Sequence, residues 1–413
     1  MSEALKSATS SEPGLYRESC TTSRTGSTSL YNSCTLSRTT RRALRKRSRK
    51  IWEGRFWRPV CLRLTAKTQW RNVKKWAKPT KPAFSVNFFA MKPITRQEPK
   101  GTVLVVSPFN YPVWLSLGPV VGAIAAGCTV LLKPSELTPN ISALMTGLTS
   151  KYLDRDVVRV VNGAVLETTK VLELQWDHIL YTGGGRVGPI VATAAAKRLT
   201  PTTLELGGKS PVITDHNGPQ TCVAPDYIPR DFQDKFVQAL KEVYEEFYPD
   251  THKHAAASDS FSRMITPQAT ARVACLLEKT QGKIVFGGEV DQENKEHPLA
   301  LYVFSQDDQV KSKVFDRTQS GAVVANETVI HCGAERLPFG GVDASGYGMH
   351  TGRYSFDMFT HFRASMDSSG WYASTRAFPY ADLSLNPLKI DTILKFRYPP
   401  YNVRLSFSSL PPG

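Results

Sequence analysis

Cysteine is scarce: seven residues in 413, at positions 20, 34, 61, 128, 222, 275 and 332, with no CxxC pair and no Cys/His cluster at zinc spacing. A chain this long needs no disulfide staples, so the scarcity argues against a disulfide framework, predicts no metal site and fits a reducing compartment, expected to be the cytoplasm. Met1–Pro13 has no apolar core, so no secretory signal is expected there. Charge is missing altogether from Gly101 to Leu132, and a hydropathy window over Val113–Leu132 reads as a membrane span. Gly118, Pro119, Gly122 and Gly127 interrupt it, and its flanks are strand-like; a strand, a buried helix and a second strand of an α/β core are expected instead. The Pro-rich residues after Trp371 contain no apolar run either. No membrane span is expected, and no internal repeat is visible.

Acids are nearly absent from one segment. Between Gly14 and Pro82 stand 19 Lys and Arg against Glu18 and Glu53, while the other residues carry 33 basic and 34 acidic groups. The net charge of +16 therefore belongs to one stretch, and nucleic acid is not the expected partner of the rest. Residues 1–82, with the run Arg41–Lys50 (RRALRKRSRK), read as a solvated, largely disordered arm. A transit sequence, a nuclear signal or contact with an anionic surface are the functional alternatives.

From about Pro82 the pattern is α/β. Thr102–Ser107, Cys128–Lys133, Trp176–Thr182 and Leu199–Leu206 read as strands, with a small-residue helix after the first and another running to Ala196. Such alternation implies a doubly wound parallel sheet with ligands at the carboxyl ends of its strands. Asp231–Tyr248 has helical spacing; Pro298–Ser305 and Gly321–Glu327 read as further strands, and Leu337–Gly348 as a glycine-rich loop. The expected division is 1–82 arm, 83–206 dinucleotide-binding domain, 207–346 shortened catalytic domain, and 347–413 late oligomerisation strand and tail. At about 100 to 200 residues per domain, the length suits two cores.

Gly183, Gly185 and Gly188 form a G-x-G-x-x-G between a strand and a helix, suited to backbone approach by a pyrophosphate. No acid lies at the distance a Rossmann ribose contact needs, so the triplet alone is a weak signal. Glu205, in the run LELGGKSP, could be a general base or a turn residue. Cys222, in PQTCVAPDY, could be a nucleophile or a small buried hydrophobe. A carboxylate and a thiol suit oxidation of an aldehyde through a thioester, but spacing does not choose between these roles.

The strings SPFNYPVWLSLGP, LLKPSELTP, LYTGGGRVG, LELGGKSP, QTCVAPDY, PLALYVFS, LPFGG and SFDMFTHFR occur in the order found in aldehyde dehydrogenases. From about Trp76 to Arg363 the chain resembles that family, most of all its fatty and aromatic aldehyde branch with the fungal apocarotenal-oxidising members. The resemblance implies a Rossmann-type doubly wound dinucleotide domain plus an α/β catalytic domain, with internal deletions. It implies oxidation of a long-chain, aromatic or apocarotenoid aldehyde to an acid with NAD or NADP. Cys222 then matches the nucleophile, Asn110 an oxyanion donor and Glu205 the base that activates the hydrolytic water. Lys133 and Glu136 match the residues that hold the adenosine ribose, Gly183 and Gly188 bracket the pyrophosphate turn, and Phe339 and Tyr111 line the aldehyde pocket. A homodimer is implied, with Tyr354–Arg363 the candidate strand shared between subunits.

Three departures accompany the resemblance. Relatives place a helix between the glutamate motif and the cysteine; here Cys222 follows Glu205 by 17 positions, and Asp215 to Cys222 spans at most about 25 Å. The Glu-Ile-Phe-Gly-Pro motif, whose glutamate holds the nicotinamide ribose, is missing between Phe286 and Tyr302. The basic arm stands where relatives have helices. An active oxidoreductase and a catalytically silent binding or scaffold member are the two readings this leaves.

Overall fold

The stretch without charge becomes the centre of the fold. The computed structural model describes residues 68–85, 88–215, 226–247, 264–279, 298–334 and 336–367. A helix over 68–76 (α1) and a strand, Ile94–Pro99 (β1), come first; the uncharged stretch then forms β2 (Thr102–Val106), α2 (Trp114–Ala126) and β3 (Thr129–Lys133). Leu115 to Ala126 are all buried, so α2 needs no polar face. It lies against β2 and β3 and against a late helix, Gly352–Met358. Gly122 permits that crossing, since a Cβ there would stand 2.6 Å from Ser355 Cβ. Gly127, at φ 90°, ends the helix with its N–H on the carbonyls of Ala123 and Ile124. At 13 residues α2 is too short to span a bilayer, and no helix among the described residues is long and apolar enough to do so.

Next come α3 (Pro139–Tyr152), β4 (Val158–Val160), α4 (Val165–Leu172), β5 (His178–Gly183), α5 (Gly188–Ala196) and β6 (Thr202–Leu206). With β11 (Gly346–Tyr347) they make a six-stranded sheet in the order β11-β6-β5-β2-β3-β4, parallel except for β11. One buried cluster, with Val103, Val105 and Leu132, packs against α2 and α3; another, with Leu104, Ile179 and Leu204, packs on the opposite face. Burial on both faces explains why these strands read as continuous apolar runs. Strand order reverses between β2 and β5, and this switch point is where a doubly wound sheet opens a crevice for ligands.

A second sheet, β10-β9-β7-β8, is parallel throughout; it joins β7 (Val212–Thr214), β8 (Asp226–Tyr227), β9 (Ala300–Phe304) and β10 (Ala322–Ala325). In β9, Ala300, Tyr302 and Phe304 enter one core, while Leu301 and Val303 enter another with Val314 of α8 (Asp308–Arg317). Helices α6 (Gln233–Phe247) and α7 (Pro267–Lys279) lie between β8 and β9 in the chain. Only residues 215–225 link β7 to β8, fewer than the dozen or more of an ordinary parallel crossover.

The structure changes two expectations. Residues 68–76, inside the stretch read as a solvated arm, are helical with Gln69 and Val73 buried; local composition hid a face that only packing uses. Positions 1–67 lie outside the described residues. The segment Tyr354–Arg363, read as a strand, is divided between α9 (Gly352–Met358) and β12 (Thr360–Ser365), because Phe356 and Met358 turn into the core beside α2. The stretch Ile284–Val290, which also reads as a strand in the sequence, lies outside the described residues. The chain splits into two compact units, Met1–Lys78 with Arg96–Arg363 and Pro79–Thr95 with Ala364–Gly413. In the second, Thr80 bridges Thr95, and Lys92 pairs with Asp367 at 3.9 Å.

At the amino end of β5, buried His178 takes a hydrogen bond at Nδ1 from the Lys100 ammonium (3.1 Å) and faces Thr203 Oγ1 from Nε2 (3.0 Å). Burial, and then the Lys100 charge, lower its pKa from 6.5 to about 3. Above 6.5 the imidazole is neutral in both folded and unfolded chains. As pH falls from there toward 3, the unfolded chain binds a proton that the native site refuses, so stability falls by about 1.4 kcal/mol per pH unit. Denaturant midpoints at pH 7 and 5 should show this loss, reduced in His178→Gln; an equal loss in the variant refutes it.

Candidate active site

Glu205 is the penultimate residue of β6, paired with Thr182 on β5 and Gly346 on β11. Its side chain is 4% exposed. A carboxylate so withheld from water must be hydrogen-bonded. His350 Nε2 stands 2.8 Å from both of its oxygens, and Thr182 Oγ1 donates to Oε2 at 3.3 Å. The imidazole is itself held, because His350 and Phe339 exchange both backbone hydrogen bonds (2.7 and 3.0 Å) and their rings meet edge to face at 5.5 Å. Gly346, at φ 111°, makes the approach possible: a Cβ there would lie 2.0 Å from the Leu204 carbonyl oxygen.

The other candidates gather at the carboxyl edge of the same sheet. Asn110 and Tyr111 lie in the turn after β2. The Asn110 Oδ1 accepts the Tyr111 N–H at 3.1 Å; Tyr111 packs edge-on against Trp114 at 6.2 Å. After β3, buried Lys133 donates to Glu136 at 2.6 Å. Burial alone would raise the Glu136 pKa, but hydrogen bonds from Lys133 and its own backbone, with the Lys133 charge, hold it below the usual carboxylate range.

After β5, Gly183 and Gly188 are demanded by packing: a Cβ would meet the Tyr181 hydroxyl at 2.3 Å or Leu206 Cδ2 at 2.9 Å. Gly184 and Gly185 face open space. At the first turns of α4 and α5, Val165, Leu166 and Ile190 are exposed apolar side chains. An ion-paired acid for ribose hydroxyls, an open glycine turn at a helix N-terminus and an apolar shelf for a base fit a dinucleotide. Cys222 lies outside the described residues. Among the described residues no cluster could hold a metal ion.

A cavity of about 1050 Å³ opens beside this arrangement, with His350 in its wall. The amino end of α2, the loop 332–336, α9 and α1 enclose it. Phe339 and Tyr111, expected in the aldehyde pocket, stand behind its lining: Phe339 between His331 and His350, Tyr111 against Trp114.

The profile of the aldehyde dehydrogenase family matches residues 70–218 and 290–365. Aldehyde dehydrogenase family 3 member A2 of Rattus norvegicus is 38% identical over 366 residues, covering 73% of this chain and 71% of the rat protein. The chain belongs to the aldehyde dehydrogenase family. It is an NAD(P)-dependent oxidoreductase that converts aldehydes to carboxylic acids. The beta-apo-4'-carotenal oxygenase of Neurospora crassa is 33% identical over 80% of this chain and 70% of its own. A solved structure titled as the substrate-bound state of Staphylococcus aureus AldH superposes with a TM-score of 0.85 at 27% identity, covering 96% of this chain and 100% of that one.

In this aldehyde dehydrogenase the sheet edge brings together Asn110, Lys133, Glu136, Gly183, Gly188 and Glu205. Cys222 falls between the two matched blocks, in the region where the sequence departs from its relatives. Sequence reasoning missed His350 and Thr182. The signal for His350 was a lone histidine two residues past the glycine-rich loop Leu337–Gly348; nothing local marks Thr182.

Proposed function

We propose that this aldehyde dehydrogenase works through Cys222 as nucleophile, Asn110 as oxyanion donor and Glu205 as base, on an extended apolar aldehyde. The supporting observation is the buried Glu205 carboxylate, held by His350 at the wall of a cavity on the ligand-binding edge of the sheet. The Cys222 thiolate adds to the carbonyl carbon, and the oxygen gains negative charge that the side-chain N–H of Asn110 and the Cys222 backbone N–H would stabilise. Each such donor contributes about 3 to 4 kcal/mol of barrier lowering. NAD or NADP, when bound, supplies the acceptor for the hydride that leaves the carbonyl carbon. Glu205 then takes a proton from water as the oxygen attacks the Cys222 thioester, and collapse releases the acid and the thiolate.

Relatives named for beta-apo-4'-carotenal and for 4,4'-diaponeurosporen-aldehyde, with Trp76, Trp114 and Leu115 in the cavity wall, support long-chain, aromatic or apocarotenoid aldehydes. A dog relative named dimeric, 36% identical, and the exposed side chains of His361–Arg363 on β12 support a homodimer. Among the described residues Cys128, Cys275 and Cys332 form no disulfide, which supports a cytoplasmic location.

The test is aldehyde-dependent formation of reduced cofactor by purified protein. Turnover of a medium-chain or aromatic aldehyde is expected; tight cofactor binding without turnover on any aldehyde would favour the silent, binding-only reading. The cofactor site has its own check. Glu136→Ala removes a charged hydrogen-bond acceptor worth about 1.5 to 3 kcal/mol, so the calorimetric Kd for NAD should rise at least about tenfold; an unchanged Kd removes Glu136 from the site.

A further inference from the structure

The turn that follows His350 is held in a conformation its residues do not favour. Thr351 has φ 83° and ψ 140°, and Gly352 follows at φ 48°. Glycine takes positive φ freely, but a β-branched side chain there is a costly exception that persists only where its surroundings over-determine it. Here they do. The Thr351 N–H donates to Ser355 Oγ at 2.9 Å, and Ser355 lies against Gly122 of α2. The Thr351 hydroxyl reaches the carbonyl oxygens of Leu337, at 2.9 Å, and of His350. From α1, Gln69 Nε2 donates to the Gly352 carbonyl.

Two of these clamps give something up. Thr351 stands just before the first turn of α9, where a threonine hydroxyl ordinarily caps the helix by accepting a backbone N–H, and it makes no such bond. Gln69 is fully buried, and its Oε1 has no partner among the described residues. An apolar side chain would leave no such hydrogen bond unmade. What both residues hold is the chain beside His350, whose Nε2 stands 2.8 Å from each Glu205 oxygen. A carboxylate only accepts, so Nε2 is the donor.

We propose that Thr351 and Gln69 are positioning residues for thioester hydrolysis, fixing the strained turn that lays the His350 imidazole on the Glu205 carboxylate. The proposal rests on the reading of Glu205 as the base that activates water. If the turn relaxes, the imidazole leaves the carboxylate, and the oxygen that takes the proton from water loses its aim; such geometry tolerates little error. Thioester formation does not use Glu205, so it is unaffected.

The experiment follows a single turnover of an n-alkanal with excess NAD, reading the burst of reduced cofactor and then the release of acid. Thr351→Val keeps the β-branch and removes the hydroxyl; it should slow acid release about fivefold and leave the burst unchanged. Thr351→Ser, which restores the hydroxyl, should release acid at the parent rate. Gln69→Met, which cannot donate, should slow release as Thr351→Val does. Combined with His350→Gln, neither Thr351→Val nor Gln69→Met should add further slowing, because both act through the imidazole. Should Thr351→Val fail to fold, Thr351→Ala makes the same comparison. Release at the parent rate in the valine or methionine variant, or equal slowing with and without His350, overturns the assignment of that residue. Release at the parent rate in Glu205→Gln overturns the reading of Glu205 instead. The turn is tested independently of turnover by the imidazole N–H proton resonance of His350, identified by its loss in His350→Gln. It should stay in place in Thr351→Ser and shift or exchange with water in Thr351→Val and Gln69→Met; a resonance that neither variant moves ends the proposal.

Discussion

Cys222→Ala should abolish aldehyde-dependent reduction of NAD, by on the order of 10⁵-fold, the scale on which removing a covalent nucleophile acts. Alanine has no lone pair to add to the carbonyl, so the thiohemiacetal and thioester cannot form, and neither Asn110 nor Glu205 can substitute because both act on species that the thiol creates. Calorimetric binding of NAD should survive, since no group proposed to hold the cofactor is altered. The comparison decides the role of a residue that the family profile does not cover: turnover that survives the substitution removes Cys222 from the mechanism. Cys128, Cys275 and Cys332 are the internal controls. Cys128 is buried, with its Sγ hydrogen-bonded to the Phe359 carbonyl, and alanine at Cys275 or Cys332 should leave the reaction in place.

Glu205→Gln should slow steady-state turnover by about 10²- to 10⁴-fold, the range for a lost general base, while leaving a burst of reduced cofactor in the first turnover. Thioester formation needs the thiol and the bound cofactor that accepts the hydride, but no base acting on water; its hydrolysis needs a group that takes a proton from water, and an amide cannot. A slow first turnover equal to the steady state would place Glu205 before the thioester instead. The His350 contact makes a second, smaller prediction of the same shape. His350 touches the carboxylate at 2.8 Å and so positions it; His350→Gln should lower the steady-state rate about tenfold and keep the burst. His350→Ala is the less informative variant, because leaving a buried carboxylate without its hydrogen-bond partner costs about 1 to 3 kcal/mol of stability or more and the protein could fail to fold.

Residues that act through local geometry were legible in the sequence. The strands β2, β3, β5 and β6 announce themselves as apolar runs because both faces of the sheet are covered, and each structural boundary falls within two or three residues of the sequence boundary. Lys133 and Gly183 end their strands and Asn110, Glu136 and Gly188 follow within five residues of a strand end, so reading the strands places them at one edge. The reading failed where a segment's environment is supplied by distant residues. The helix over 68–76 looked like the end of a basic arm because three of its nine residues are Lys or Arg; burial of Gln69 and Val73 is visible only once the fold brings partners to them. Tyr354–Arg363 looked like one strand, but the closeness of α2 at Gly122 makes its first half helical.

By itself, the sequence determined the α/β class, the likeness to aldehyde dehydrogenases and the chemical types on offer: a thiol, a carboxylate, an amide and a glycine turn. These follow from short strings, since motif chemistry and strand periodicity are properties of neighbouring residues. Tertiary structure alone decided which groups act on one another. Glu205 and His350 are separated by 145 positions, and only the antiparallel return of β11 onto β6 puts an imidazole on the carboxylate. The same return sets His350 in the wall of a cavity that α1 also lines. Charge that the sequence could describe only as one basic segment thereby acquires a place, because a cation's effect depends on what the fold sets beside it.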